Sequence, residues 1–180
     1  MDKVLREYFQ ETSASDIYSY GYGDVADFLR TPYEVGSFDW VVTNPPFNLA
    51  EEFVARSLQI ARRGVAILAR TVFIESVGRY ERLFKPNPPA LFAQFVERVP
   101  MVKGRLDPKA STATGYAWFV WLADRRTTEV VWIPPCRKRL EMKSDYDLPQ
   151  SRIAIKQTQT DLFGFNDTAR HDEAKRRQHN

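Results

Sequence analysis

Residues 38-FDWVVTNPPF-47 set the architecture of the chain. Phe38, Trp40, Val41 and Val42 make an apolar, β-branched run with the composition of a buried strand. Pro45 and Pro46 cannot donate to a ladder and therefore end it. From Asn48 the apolar period changes to that of a helix. Leu49, Phe53, Val54, Leu58 and Ile60 are spaced to face a core, with Asn48 able to cap and Glu51 three residues on. Gly64 is expected to close this helix and residues 65–69 to form the next strand. Strand, helix and strand in this order are the unit of an α/β sheet with crossover helices.

The same alternation holds on either side. Residues 2–10 read as a helix with Val4, Leu5, Tyr8 and Phe9 on one face, and residues 13–17 and 24–29 as two short strands or strand ends. A shorter helix around residues 76–84 leads into the proline cluster 86-PNPP-89. After it, residues 91–99, 115–122 and 129–133 are strand-like with no helix between them, which predicts an antiparallel finish to a mostly parallel sheet. Beyond Pro134-Pro135 the sequence turns polar and basic, apart from Leu162-Phe163-Gly164-Phe165, so a domain over 1–135 and a largely flexible tail over 136–180 are expected.

At 180 residues, 43% hydrophobic and 27% charged, the chain can bury one full core but not two large ones. Its 26 basic and 23 acidic residues leave a small positive excess that fits a phosphate-rich partner without requiring one. The lone Cys136 excludes an internal disulfide and a cysteine zinc site, and His171 and His179 both lie in the tail, so no metal and no histidine base are expected. Residues 1–20 lack a signal-peptide pattern and no apolar run reaches the roughly 20 residues that span a bilayer, which points to a cytoplasmic protein.

The chemistry concentrates at Asn44-Pro45-Pro46-Phe47, placed at the carboxyl end of a strand, where open α/β sheets bind their ligands. The bland alternative is a proline-rich turn. The residue types suit an exocyclic adenine amine, whose lone pair is delocalised into its ring. The Asn44 amide oxygen and the Pro45 carbonyl can accept its two hydrogens and draw the nitrogen toward tetrahedral geometry. Pro46 helps hold these acceptors still, and Phe47 can stack on a base extruded from a duplex.

With this motif the chain resembles the S-adenosylmethionine-dependent N6-adenine DNA methyltransferases that carry an NPP-aromatic motif on a Rossmann-like sheet, over about residues 3–133. The resemblance implies S-adenosyl-L-methionine as cofactor and DNA as partner. It also implies that Asp16, in 14-ASDIY-18, binds the cofactor ribose and that Ile17 packs on its adenine. Asp27 and Phe28, in 24-DVADFL-29, would hydrogen-bond and contact that adenine. In similar enzymes the loop 103-KGRLDPKASTATGYAW-118 presents a stacking aromatic and contacts to the nucleic-acid strand. That makes Tyr116 the stacking candidate and Lys103, Arg105 and Lys109 the phosphate contacts, while Trp118 alternates with Val120 and Leu122 and can equally face the core. Arg170, Lys175, Arg176 and Arg177 are either further contacts or a solvated charged tail.

The resemblance breaks at the start. Family members begin with a strand and a glycine-rich loop, and residues 1–10 supply neither; Gly21 and Gly23 follow Asp16. In the family that strand is central, lying between those ending near Asp16 and Asn44, so its absence leaves two facing edges with unpaired backbone groups. The expectation is a fragment of a longer reading frame, a strand supplied by a partner chain, or a sheet closed in altered form. The same motif logic also serves guanine-N2 methylation of RNA and glutamine methylation of a protein. A catalytically inactive, nucleic-acid-binding descendant is the reading of another class.

Overall fold

The structure, a computed structural model, describes residues 1–19, 21–100 and 112–142. All but Met142 belong to one compact unit made of Met1–Met101 and Lys109–Glu141. Its elements in chain order are α1 (Asp2–Leu5), β1 (Ser15–Asp16), β2 (Asp24–Val25), β3 (Phe38–Thr43), α2 (Ala50–Ile60), β4 (Ala61–Arg70), α3 (Val77–Arg79), β5 (Leu91–Phe95), β6 (Tyr116–Leu122), β7 (Glu129–Ile133) and α4 (Arg137–Leu140). The protein is α/β, built on a five-stranded mixed sheet of order β3-β4-β6-β5-β7. No described helix is long and apolar enough to cross a membrane.

The expected antiparallel finish is confined to one strand. β6 runs against both β4 and β5, but β5 and β7 are parallel, so β3, β4, β5 and β7 all point the same way. The connections bring this about. β6 starts at the carboxyl ends of its neighbours, the edge where β5 ends. β7 then follows β6 and returns beyond β5 in the parallel sense. β5 also stops at Phe95, short of residue 99.

The helix before β4 ends at Ile60 rather than Gly64, and Ala61 is already extended with φ −93° and ψ 134°. Gly64 lies within β4 opposite Trp40, and a Cβ there would come within 2.4 Å of the indole. This glycine is present for ring contact, not for a helix cap. Gly64→Ala is expected to destabilise the fold by about 1–3 kcal/mol, the usual range for overpacking. An unchanged urea midpoint in the variant would refute that account of Gly64.

The core lies on the face of the sheet that carries Val65, Ile67, Ala69, Ala117, Phe119 and Trp121. Phe119 is fully buried at its centre, with the rings of Phe73, Phe84 and Phe92 at 5.3, 6.5 and 5.2 Å. Trp121 satisfies its indole N–H by donating to the Asn87 carbonyl at 2.8 Å, which ties the proline cluster to the sheet. Ala50 and Val54 of α2 are buried in the same cluster, which fixes the start of that helix directly after the Asn44–Phe47 turn.

β1 and β2 pair in parallel as a separate two-stranded sheet, Ser15 with Asp24 and Asp16 with Val25. Gly23 adopts φ +71°, and a Cβ there would meet the Ala14 carbonyl oxygen at 2.5 Å, so glycine is what lets the two strands approach. Among the described residues β3 pairs with β4 alone, and its outer edge carries no strand. A cavity of about 340 Å³ lies between that edge and β1, lined by Ala14–Asp16 on one side and Trp40–Asn44 on the other.

Candidate active site

β3 delivers Asn44 to the carboxyl edge of the sheet, and the next three residues turn the chain into α2. Pro45 is buried, while Asn44, Pro46 and Phe47 are exposed. The Pro46 carbonyl accepts the Leu49 N–H at 2.9 Å, which closes a short 3₁₀ turn over Phe47–Leu49 and holds the segment rigid. The Asn44 side-chain amide and the Pro45 carbonyl make no hydrogen bond among the described residues, and the exposed Asn44 amide, which lines the cavity beside it, is open to a ligand.

Asp16 closes β1 with its carboxylate accepting the Tyr18 N–H at 3.0 Å, an Asx turn that fixes the side chain. Asp27 accepts the Leu29 N–H at 3.0 Å and lies 3.4 Å from Arg30. Next to it, Phe28 stacks on Phe53 of α2, with centroids 4.9 Å apart and planes 21° apart. Arg56 secures this arrangement by donating to the Thr31 and Tyr33 carbonyls, both at 3.0 Å, so the segment after β2 is clamped onto α2.

Asp16, Phe28 and Asn44, far apart in sequence, thus line one cavity, together with Trp40 and Phe53. Its volume falls inside the roughly 300–1,000 Å³ of small-molecule sites, and it combines aromatic walls with polar side chains that include Ser13, Ser15, Asp16, Thr43 and Asn44. Ile17 is 57% exposed, and neither it nor Asp27 is among the lining residues. Tyr116, buried at the start of β6, sits with its ring 6.0 Å from that of Phe47. Lys103, Arg105, Lys109 and the basic tail lie outside the described residues. No cluster of three or more metal-ligating side chains occurs among the described residues.

Sequence reading missed Arg70, at the end of β4, whose guanidinium lies 4.4 Å from the Phe47 ring centroid. Only the β4–β6 register, which pairs Arg70 with Tyr116, brings it there. It missed Phe53 for a related reason, having assigned that ring to the core alone. No protein-family model matches the chain, and no curated protein or solved structure matches it either.

Proposed function

We propose that the chain is a methyltransferase of Rossmann-like fold that uses S-adenosyl-L-methionine to methylate the N6 amine of adenine in DNA, within the cytoplasm. The observation that carries the reading is the shared cavity. The Asn44–Phe47 turn opens beside a pocket that also holds a strand-terminal carboxylate, Asp16, and a stacked aromatic pair, Phe28 on Phe53. A nucleoside needs both groups, one for its ribose hydroxyls and one for its ring.

The fit to the cofactor's adenosine half is partial: of the four residues expected there, Asp16 and Phe28 line the cavity and Ile17 and Asp27 do not. Asp16 would accept from the ribose and Phe28 would contact the adenine. For the methionine half, no glycine lines the cavity among the described residues. A further strand paired to the open edge of β3 would supply that end of the site. Bound S-adenosylmethionine supplies a methyl group on a sulfonium. Asn44 Oδ1 and the Pro45 carbonyl accept the two N6 hydrogens of the target adenine, which frees the nitrogen lone pair to form the new N–C bond. As the nitrogen takes the methyl that the bound cofactor would supply, sulfur would keep the electron pair of the broken bond, and the extra N6 proton, held at the Asn44 and Pro45 acceptors, would be lost to solvent. Phe47 stacks on the flipped base, while Arg70, now over that ring, must yield its place or leave the base the other face.

Calorimetric titration with S-adenosylmethionine, followed by transfer of labelled methyl to adenine-containing duplex DNA, ribosomal RNA and a release-factor protein, tests the reading. Micromolar binding and label in the DNA is the expected result. Label in the RNA or the protein would move the activity to guanine-N2 or glutamine. That no glycine lines the cavity among the described residues favours a second reading, an inactive nucleic-acid-binding protein. Salt-dependent DNA binding without transfer, even by a chain extended upstream, would establish it.

A further inference from the structure

A second depression lies on the other side of Arg70, at the carboxyl ends of β4 and β5. It encloses about 790 Å³, with Arg70, Gln94, Glu97, Arg98, Gly115 and Trp132 among its walls. Its chemistry differs from that of the first cavity. Arg98 reaches across it and donates through one guanidinium nitrogen to the Ala113 carbonyl, which holds the charge in place and leaves its other donors available. Arg70 and Arg98 form no ion pair among the described residues.

The one carboxylate named there is occupied. Glu97 Oε1 accepts the Cys136 and Arg137 N–H groups at 2.6 and 2.7 Å, and these bonds hold its carboxyl below the usual carboxylate range. Gln94 is fixed by donating to the Phe95 and Tyr116 carbonyls at 2.7 and 3.2 Å. Opposite it in register, Trp132 on the edge strand β7 is 65% exposed. Arg98, held at the Ala113 carbonyl, Arg70, whose guanidinium is shared with the Phe47 ring, and one exposed indole, with no ion pair to either arginine among the described residues, make a surface suited to an alternation of phosphate and aromatic base.

We infer that this groove binds a single strand of nucleic acid, with Arg70 and Arg98 on phosphates and one base stacked on Trp132. It rests on the reading of Phe47 as the seat of the target base and gives neighbouring unpaired nucleotides of that strand their track, while Arg70 lines the groove and lies over Phe47. Stacking platforms combined with guanidinium contacts are the general solution for single strands, and they tolerate any base sequence.

The test uses the full chain and a labelled thymine-only oligonucleotide of about a dozen nucleotides, matched to a site size of roughly 4–16, with fluorescence anisotropy over a series of salt concentrations. Trp132→Ala is expected to weaken binding about tenfold, while Trp132→Phe keeps most of the affinity. Arg98→Ala is expected to flatten the slope of log affinity against log salt by about 0.7, the value of one phosphate contact to a single strand. Unchanged affinity in Trp132→Ala, or no salt-dependent binding by the parent chain, would overturn the inference. Because thymine offers no substrate amine, binding that depends on Trp132 upholds the groove even if methyl transfer to adenine is never detected. Transfer to adenine with binding indifferent to Trp132 would instead remove the groove and leave the methyltransferase reading standing.

Discussion

Asn44→Ala is expected to lower methyl transfer to adenine by about 10²–10³-fold, the loss typical of one preorganised polar group aimed at a reacting atom. The side chain is exposed and makes no hydrogen bond among the described residues, so its removal should leave the urea midpoint in place. Binding of S-adenosylmethionine should also persist, because Asp16, Phe28 and Phe53 remain. The loss would therefore sit in turnover. Single-turnover assays with labelled cofactor measure it, and a variant that transfers at the parent rate would remove Asn44 from the chemistry.

Phe119→Ala should give the largest loss of stability. The ring is fully buried and meets four other aromatic rings, those of Phe73, Phe84, Phe92 and Trp121. Truncating such a residue costs about 3–5 kcal/mol through lost burial and the cavity left behind. A domain of this size has only about 5–15 kcal/mol in total. Urea denaturation followed by circular dichroism would show the shift, and a loss below about 1 kcal/mol would mean that the cluster re-closes around the gap.

The sequence was most legible where one residue type has one local consequence. The strand ending at Thr43 and the break at Pro45-Pro46 stand where the apolar run and the prolines put them, because proline removes a ladder donor whatever the surroundings. Strand existence for β6 and β7 was equally plain from their apolar runs. Gly64 misled because glycine has two common uses, and only the Trp40 ring opposite decides between them. The direction of β7 was hidden for the same reason. Parallel or antiparallel sense depends on where a connection crosses, which period-two patterning does not encode.

The site divides in the same way. Asn44–Phe47 stand out as four consecutive residues, whereas the meeting of Phe28 with Phe53 depends on Arg56 holding two carbonyls from a distant segment. Arg70 gives no sign in sequence, being one of 26 basic residues until the β4–β6 register sets it over Phe47. Asp16 and Asn44 come together across an interval in which the described residues place no strand. No pattern in either segment could announce the other.

The four tryptophans give the protein a set of internal optical probes. Trp40 forms part of the wall of the first cavity, so a nucleoside entering there should perturb its emission. Trp132 stands 65% exposed beside the second depression and is open to quenching by a stacked base. Trp121, 3% exposed with its indole N–H bonded to the Asn87 carbonyl, reports instead on whether the core is intact. Single-tryptophan variants would thus report separately on the first cavity, the second depression and the core.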